Sequence, residues 1–237
     1  MLNFLKDRLK ARVFATAGIS YNPFGVPYSL GKYLQKERDI VLIDIGAHEG
    51  KFTSCVDRMC GVKRGLLIEP QPLHAQRLRE EYSESRFTVE EAALSDWQGT
   101  VDLSIRKTDS TTSLLPMLDR APELAGIDTE PREVVTCEVS TLSEVARKAN
   151  IQKADLIKID VQGAELAALT GGREFVRDSR MVWVEVSFKP LYQQSCLFHE
   201  VYDFMSRQGH VLMELEPGYR AQSGELIQAD ALFMRGK

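Results

Sequence analysis

The 237-residue sequence lacks the features that announce metal binding, disulfide framing or membrane crossing. Its four cysteines, Cys55, Cys60, Cys137 and Cys196, form neither a Cys-x-x-Cys pair nor a Cys/His array at zinc spacing. No metal site is expected on that basis, and a reduced, cytoplasmic protein fits. Apolar runs are short, none approaching the length of a bilayer span. The N-terminus has no apolar central run or small-residue cleavage site of a secretory leader. Excess charge is also scarce. The formal net charge is -4 and is spread along the chain, which excludes the broad basic face that nucleic-acid partners need. Internal repeats and low-complexity tracts are absent.

What is present is a hydrophobic share of 43%, enough for one large core, so residues 40–237 are read as a single α/β domain. Residues 1–39 are read as an N-terminal helical extension. There Lys6, Arg8, Lys10 and Arg12 interleave with Leu2, Phe4, Leu5, Leu9 and Val13 at helical spacing. Such a helix would cover a core or, less commonly, touch an anionic membrane surface through residues 1–13. A loop through Pro27 and a short helix at 29–35 follow.

From Ile40 onward, periodicity alternates between the two element types. It predicts strands at 40–46, 65–69 and 87–94 separated by helices at 50–60 and 72–83, then helix 141–149, strand 155–161, helix 163–177 and strand 181–187. Alternation of this kind implies a parallel sheet with helices on both faces. The rhythm breaks around 100–139, where 101–106 and 133–139 read as an inserted hairpin or flap. A helix at 197–208 precedes closing strands 210–215 and 229–234, which suggest an antiparallel hairpin at the sheet edge.

Two apolar strands each end in an acid. Val41 to Ile45 runs through Asp44 into the turn Gly46-Ala47-His48-Glu49-Gly50, and Leu66 to Ile68 ends at Glu69-Pro70. A glycine turn brings backbone close to a bound group, and an acid roughly 20 residues further on is placed to accept hydrogen bonds from a ribose. Gly46 is expected where a Cβ would intrude on the ligand, and Asp44 is expected to meet a ligand ammonium or to hold the loop. Glu69 would serve the ribose of either a sulfonium nucleoside or a nicotinamide cofactor. The turn separates the two, because a pyrophosphate site wants Gly-x-Gly-x-x-Gly and here His48 and Glu49 crowd it with an acid. Small residues from Ala92 to Leu94, followed by Ser95 and Asp96, would border an adenine, with Asp96 either accepting from its exocyclic amine or only starting a turn toward Gly99.

Asp160 closes a strand and points into the crevice, where it would orient an acceptor hydroxyl or take its proton, unless it is a structural partner of Lys158. Glu185 stands alone among Val182, Trp183, Val184 and Val186, a costly place for an acid, so it is expected either to serve the site or to be buried against a partner. Glu165, in a first helical turn, suits a structural role.

The motif order over residues 41–235 resembles the FkbM-type S-adenosylmethionine-dependent methyltransferases, on Asp44 to Gly50, Glu69-Pro70, Ala92 to Gly99 and Leu156 to Glu165. This chain carries Gln162 where that family usually has an acid. The resemblance implies a Rossmann-like class I fold, with a seven-stranded, mostly parallel sheet ending in an antiparallel strand. It implies that Asp44, Gly46, Ala47, Glu69, Pro70, Ala93, Ser95 and Asp96 hold S-adenosylmethionine. It further implies O-methylation of a saccharide or other small molecule, with Asp160 and Glu185 as candidate catalytic groups. A divalent ion between those two remains open on sequence. Acceptor contacts are expected from Lys107, Thr108 to Thr112 and the 189–194 loop. The competing readings are a nicotinamide-dependent oxidoreductase and a noncatalytic S-adenosylmethionine-binding module.

Overall fold

The computed structural model describes residues 25–106, 112–119, 121 and 131–236. The basic amphipathic helix expected at 1–13, Lys107 and most of the 108–112 segment lie outside them. Among the described residues no helix is long and apolar enough to cross a membrane.

The elements in chain order are α1 (Tyr28–Leu34), β1 (Ile40–Ile45), α2 (Lys51–Cys60), β2 (Val62–Ile68), α3 (Pro72–Glu81), β3 (Phe87–Glu90), β4 (Ala93–Leu94), β5 (Gly99–Arg106), β6 (Pro131–Ser140), α4 (Leu142–Lys148), β7 (Leu156–Ile159), α5 (Glu165–Thr170), α6 (Arg173–Asp178), β8 (Met181–Ser187), α7 (Phe198–Arg207), β9 (His210–Pro217) and β10 (Gln228–Arg235). A seven-stranded sheet has the order β3-β2-β1-β7-β8-β10-β9. The first five strands in that order run parallel, and β10 is antiparallel to both β8 and β9. The Rossmann-like architecture expected from the sequence is therefore present. The closing hairpin has one refinement: β10, the second strand of the pair, inserts beside β8 and leaves β9 at the edge.

Two predicted elements divide. The strand expected at 87–94 becomes β3 in the main sheet and β4 in a separate three-stranded sheet with the long hairpin β5-β6. The helix expected at 163–177 breaks at Gly171 and Gly172. A Cβ on Gly171 would stand 2.0 Å from the Ser95 carbonyl oxygen, so the loop after β4 reaches the helix axis where only glycine leaves room.

Strands buried on both faces explain the apolar runs that the sequence shows. Ile43, Ile45, Ile157, Ile159, Val182 and Val184 face α4, α5, α6 and α7. Leu42, Leu156, Trp183 and Leu232 face the other way, onto α1 and α2. Leu30 and Leu34 of α1 are fully buried in this second layer, so that helix belongs to the core around the site.

Candidate active site

The site is built where β1 leaves the sheet. Gly46 turns with φ of 72°, and the Gly46 and Ala47 amides both donate to the Ile68 carbonyl, at 2.9 and 3.1 Å, tying the turn to the end of β2. A Cβ at Gly46 would lie 1.9 Å from the Asp160 carbonyl oxygen. The neighbouring strand exit by itself demands the glycine, which lets the β1 and β7 loops close on each other. His48 and Gly50 also adopt positive φ, 50° and 71°, and the Tyr82 hydroxyl holds the Gly50 carbonyl at 2.7 Å.

A cavity of about 320 Å³ opens above the carboxyl ends of β1, β2 and β7. Gly46, Ala47, Glu69, Pro70, Ala93 and Asp160 all form its walls, so the sequence had assembled most of one surface from four separate segments. Glu69 is only 2% exposed. Its Oε2 accepts the His48 amide at 2.8 Å and its Oε1 the Gln71 amide at 3.0 Å. Burial pushes its carboxyl up, and those two amides oppose the shift. A carboxylate oxygen accepts more than one hydrogen bond, so each still has capacity toward the cavity.

Four expected residues are placed differently. Asp44 does not line the cavity. It is fully buried beneath the turn, where its Oδ2 accepts the Thr53 hydroxyl at 2.7 Å and its Oδ1 lies 3.5 Å from Lys158 Nζ. The loop-holding role fits it, and direct contact with a ligand ammonium does not. Ser95 and Asp96 line a second depression of about 370 Å³ together with Trp97, Gly163 and Ala164, and Leu114 is a wall common to both spaces. Glu185 also stands behind the main cavity, reaching it only through Gln162.

Lys158 is the cation that organises this floor. Its Nζ donates to the Gly46 carbonyl at 2.6 Å and lies 3.8 Å from Asp160 Oδ2. Burial works against its charge, but Asp44 and Asp160 outweigh it and hold the ammonium above its usual range. Asp44, in turn, is pushed up by burial and down by Lys158 and Thr53. With two carboxylates around one lysine, we take the lysine as charged and paired.

At the far end, four acids stand in a row, one per strand. Asp160 follows β7, Glu185 is on β8, and Asp230 of β10 pairs in register with both Glu185 and Glu216 of β9. Gln162, at φ of 55°, bridges the first two: its Nε2 donates to Asp160 Oδ1 at 2.8 Å and to Glu185 Oε2 at 3.1 Å. The bridge is itself held, because Tyr192 donates to Gln162 Oε1 at 3.1 Å and Ser113 to the Gln162 carbonyl at 2.7 Å. An amide therefore occupies the place between Asp160 and Glu185 where a cation would sit. Gln228 Nε2 reaches the same Glu185 oxygen at 2.7 Å. Glu165 folds back to accept the Val161 and Gly163 amides at 3.2 and 2.9 Å, fixing the loop that carries Asp160 and Gln162.

Burial raises the Glu185 carboxyl well above its ordinary value, and Asp160 and Glu165 add to it. Asp230, which lines the cavity, is pushed up to about 7 by burial, Asp160 and Glu216. Sequence reasoning missed Asp230, although the signal was there: it is a single acid in the apolar strand Gln228–Arg235, the same anomaly that drew attention to Glu185. The place of Gln162 in the cavity wall was also missed.

The sequence profile described as "Methyltransferase FkbM domain" matches residues 44–212. The chain is 25% identical over 185 residues to the 2-O-methyltransferase NoeI of Sinorhizobium fredii (strain NBRC 101917 / NGR234), covering 73% of each. Among solved structures it is similar to methyltransferase FkbM from Methylobacillus flagellatus KT, at 14% identity and a TM-score of 0.52. That match spans 96% of this chain and 58% of the other, so the likeness bears on the fold and covers little more than half of that protein.

Proposed function

This chain belongs to the FkbM methyltransferase family, and from that premise we propose that it uses S-adenosylmethionine to methylate a hydroxyl of a saccharide or another small molecule. The observation that carries the reading is Glu69. A carboxylate 2% exposed, at the end of a strand and in a cavity wall, takes one donor on each oxygen from the His48 and Gln71 amides and keeps acceptor capacity toward the cavity. Vicinal ribose hydroxyls match its remaining acceptor capacity. Ala92, Ala93 and Leu94 beside it offer the small apolar surface that a purine ring needs. Glu49 at the mouth of the turn is ion-paired with Lys51, also a cavity wall, so the turn separates the ligands by its glycine spacing, which lacks the Gly-x-Gly-x-x-Gly that a pyrophosphate needs.

When bound, the donor supplies an electrophilic methyl carbon on a positively charged sulfur. The protein's part is then mainly alignment, because the sulfur leaves as a neutral thioether and no strong acid is needed to help it. Asp160 is fixed by Gln162 on one oxygen and faces Lys158 with the other, so it presents a rigid acceptor to the hydroxyl that attacks. Glu185 acts at one remove, by holding the Gln162 amide. The O-directed relative NoeI, at 25% identity, supports oxygen as the atom methylated.

Isothermal titration with S-adenosylhomocysteine and with NAD tests the donor, and transfer of labelled methyl groups to a panel of saccharides tests the acceptor. Binding of S-adenosylhomocysteine without NAD binding, and label in an ether product, is the expected result. NAD binding would overturn the reading. Homocysteine-product binding with no label on any acceptor would reduce the chain to a binding module.

A further inference from the structure

We propose that Asp230 is the catalytic residue that takes the proton from the acceptor hydroxyl, while Asp160 and Gln162 hold that hydroxyl in place. The inference rests on reading the cavity as a methyl-transfer site. It adds a residue outside the 44–212 stretch on which the family match stands.

Glu69 at the end of β2 and Asp230 on β10 are walls of one cavity, with β1, β7 and β8 between their strands. At about 4.8 Å per strand these acids bracket roughly 19 Å, so the nucleoside end and the Asp230 end are separate parts of the same space. Pro27, Phe52 and Trp183 also line the cavity, and Trp183 lies two residues before the Glu185 that pairs with Asp230.

Asp160 has one oxygen bonded to Gln162 and the other facing Lys158. Glu185 carries two amide donors on Oε2 and does not face the cavity. Asp230 lines the cavity and has no hydrogen bond or ion pair among the described residues, so its oxygens are open to a ligand.

The groups facing Asp230 are Glu185 from β8, Glu216 from β9, and Asp160 and Lys158 from the β7 end. Like charges placed directly across strands repel, so a proton on Asp230 relieves the row. Burial first, and then Asp160 and Glu216, push its carboxyl up to about 7, into the range where a general base works best.

In the step itself, the hydroxyl proton passes to an Asp230 oxygen, and the electron pair of that O–H bond remains on the acceptor oxygen. A lone pair of that oxygen forms the new bond to the methyl carbon as the carbon–sulfur pair withdraws onto sulfur. The products are an ether, a neutral thioether and a protonated Asp230, which returns its proton to solvent.

The test begins with the protein alone. Carbon-13 NMR of labelled aspartate carboxyls, with the Asp230 signal assigned by its loss in Asp230→Asn, should show a midpoint near 7. With labelled S-adenosylmethionine and the saccharide panel, Asp230→Asn should lose turnover by roughly 10²-fold and abolish the rise of rate through neutral pH. Its S-adenosylhomocysteine affinity should stay within about threefold of wild type, because the nucleoside end is untouched. Asp160→Asn should retain an inflection, moved to lower pH by the loss of its charge beside Asp230, while turnover falls. An Asp230 midpoint in the ordinary carboxylate range would overturn the inference, as would Asp230→Asn turnover within about threefold of wild type with its pH profile intact. Failure of wild type to bind S-adenosylhomocysteine would instead remove the reading on which it rests.

Discussion

A carboxyl whose folded-state pKa is raised weakens the fold when it ionises, and Asp230 is the residue where this has a measurable sign. Its unfolded value is near 3.9, and in the fold it is pushed to about 7 by burial, Asp160 and Glu216. The proton is bound more tightly in the native state, so this contribution to stability is complete below the unfolded pKa. It is lost as pH rises toward and through 7. Asparagine at this position never ionises. Asp230→Asn should therefore match wild type near pH 4 and exceed it at pH 8 by about 1–3 kcal/mol, after discounting the full shift for partial exposure. Urea melts at the two pH values check it, and a variant equally or less stable than wild type at pH 8 would show that the row of acids is relaxed by something other than protonation.

Elements constrain one another here through a single side chain. Lys158 of β7 lies opposite Asp44 of β1 in the parallel register and bonds the Gly46 carbonyl just beyond it, so it fastens the two strand exits that form the cavity floor. Replacing it by methionine would leave Asp44 fully buried with only Thr53 as a partner. Lys158→Met should cost about 3–5 kcal/mol in chemical denaturation, because an uncompensated buried charge is far more expensive than a lost pair. Asp44→Asn combined with Lys158→Met should recover part of that loss, and strict additivity of the two changes would disprove the coupling.

The same pair explains what the sequence conveyed. Period and turn residues located nearly every strand and helix of the main sheet, because those signals are local. Glu69 was legible because an acid at the end of an apolar strand is anomalous on its own. The inward direction of Asp44 was not legible, since it depends on a lysine that joins it only through sheet register. Nor was the break at Gly171, which is imposed by the Ser95 carbonyl brought there by β4.

At the scale of the whole molecule, the strand order brings the ends of β2, β1, β7 and β10 onto one rim, and the cavity draws walls from each. A ligand seated there contacts segments from both halves of the sheet and must therefore stabilise the fold globally. At a concentration 100 times its dissociation constant, a ligand of the native state adds about 2.7 kcal/mol. For a chain of this size each kcal/mol raises the melting temperature by roughly 2–4 °C, so S-adenosylhomocysteine should shift it by about 5–10 °C. NAD at equal concentration should produce no shift, since the turn Gly46 to Gly50 lacks the Gly-x-Gly-x-x-Gly spacing that seats a pyrophosphate on a helix N-terminus. Glu69→Ala should abolish the S-adenosylhomocysteine shift at that concentration, because the ribose loses its acceptor at the one place where β2 meets the ligand. Differential scanning calorimetry on wild type and variant decides it: a full shift retained by Glu69→Ala would mean that the nucleoside is held elsewhere, with the depression beside Ser95 and Asp96 the next place to look.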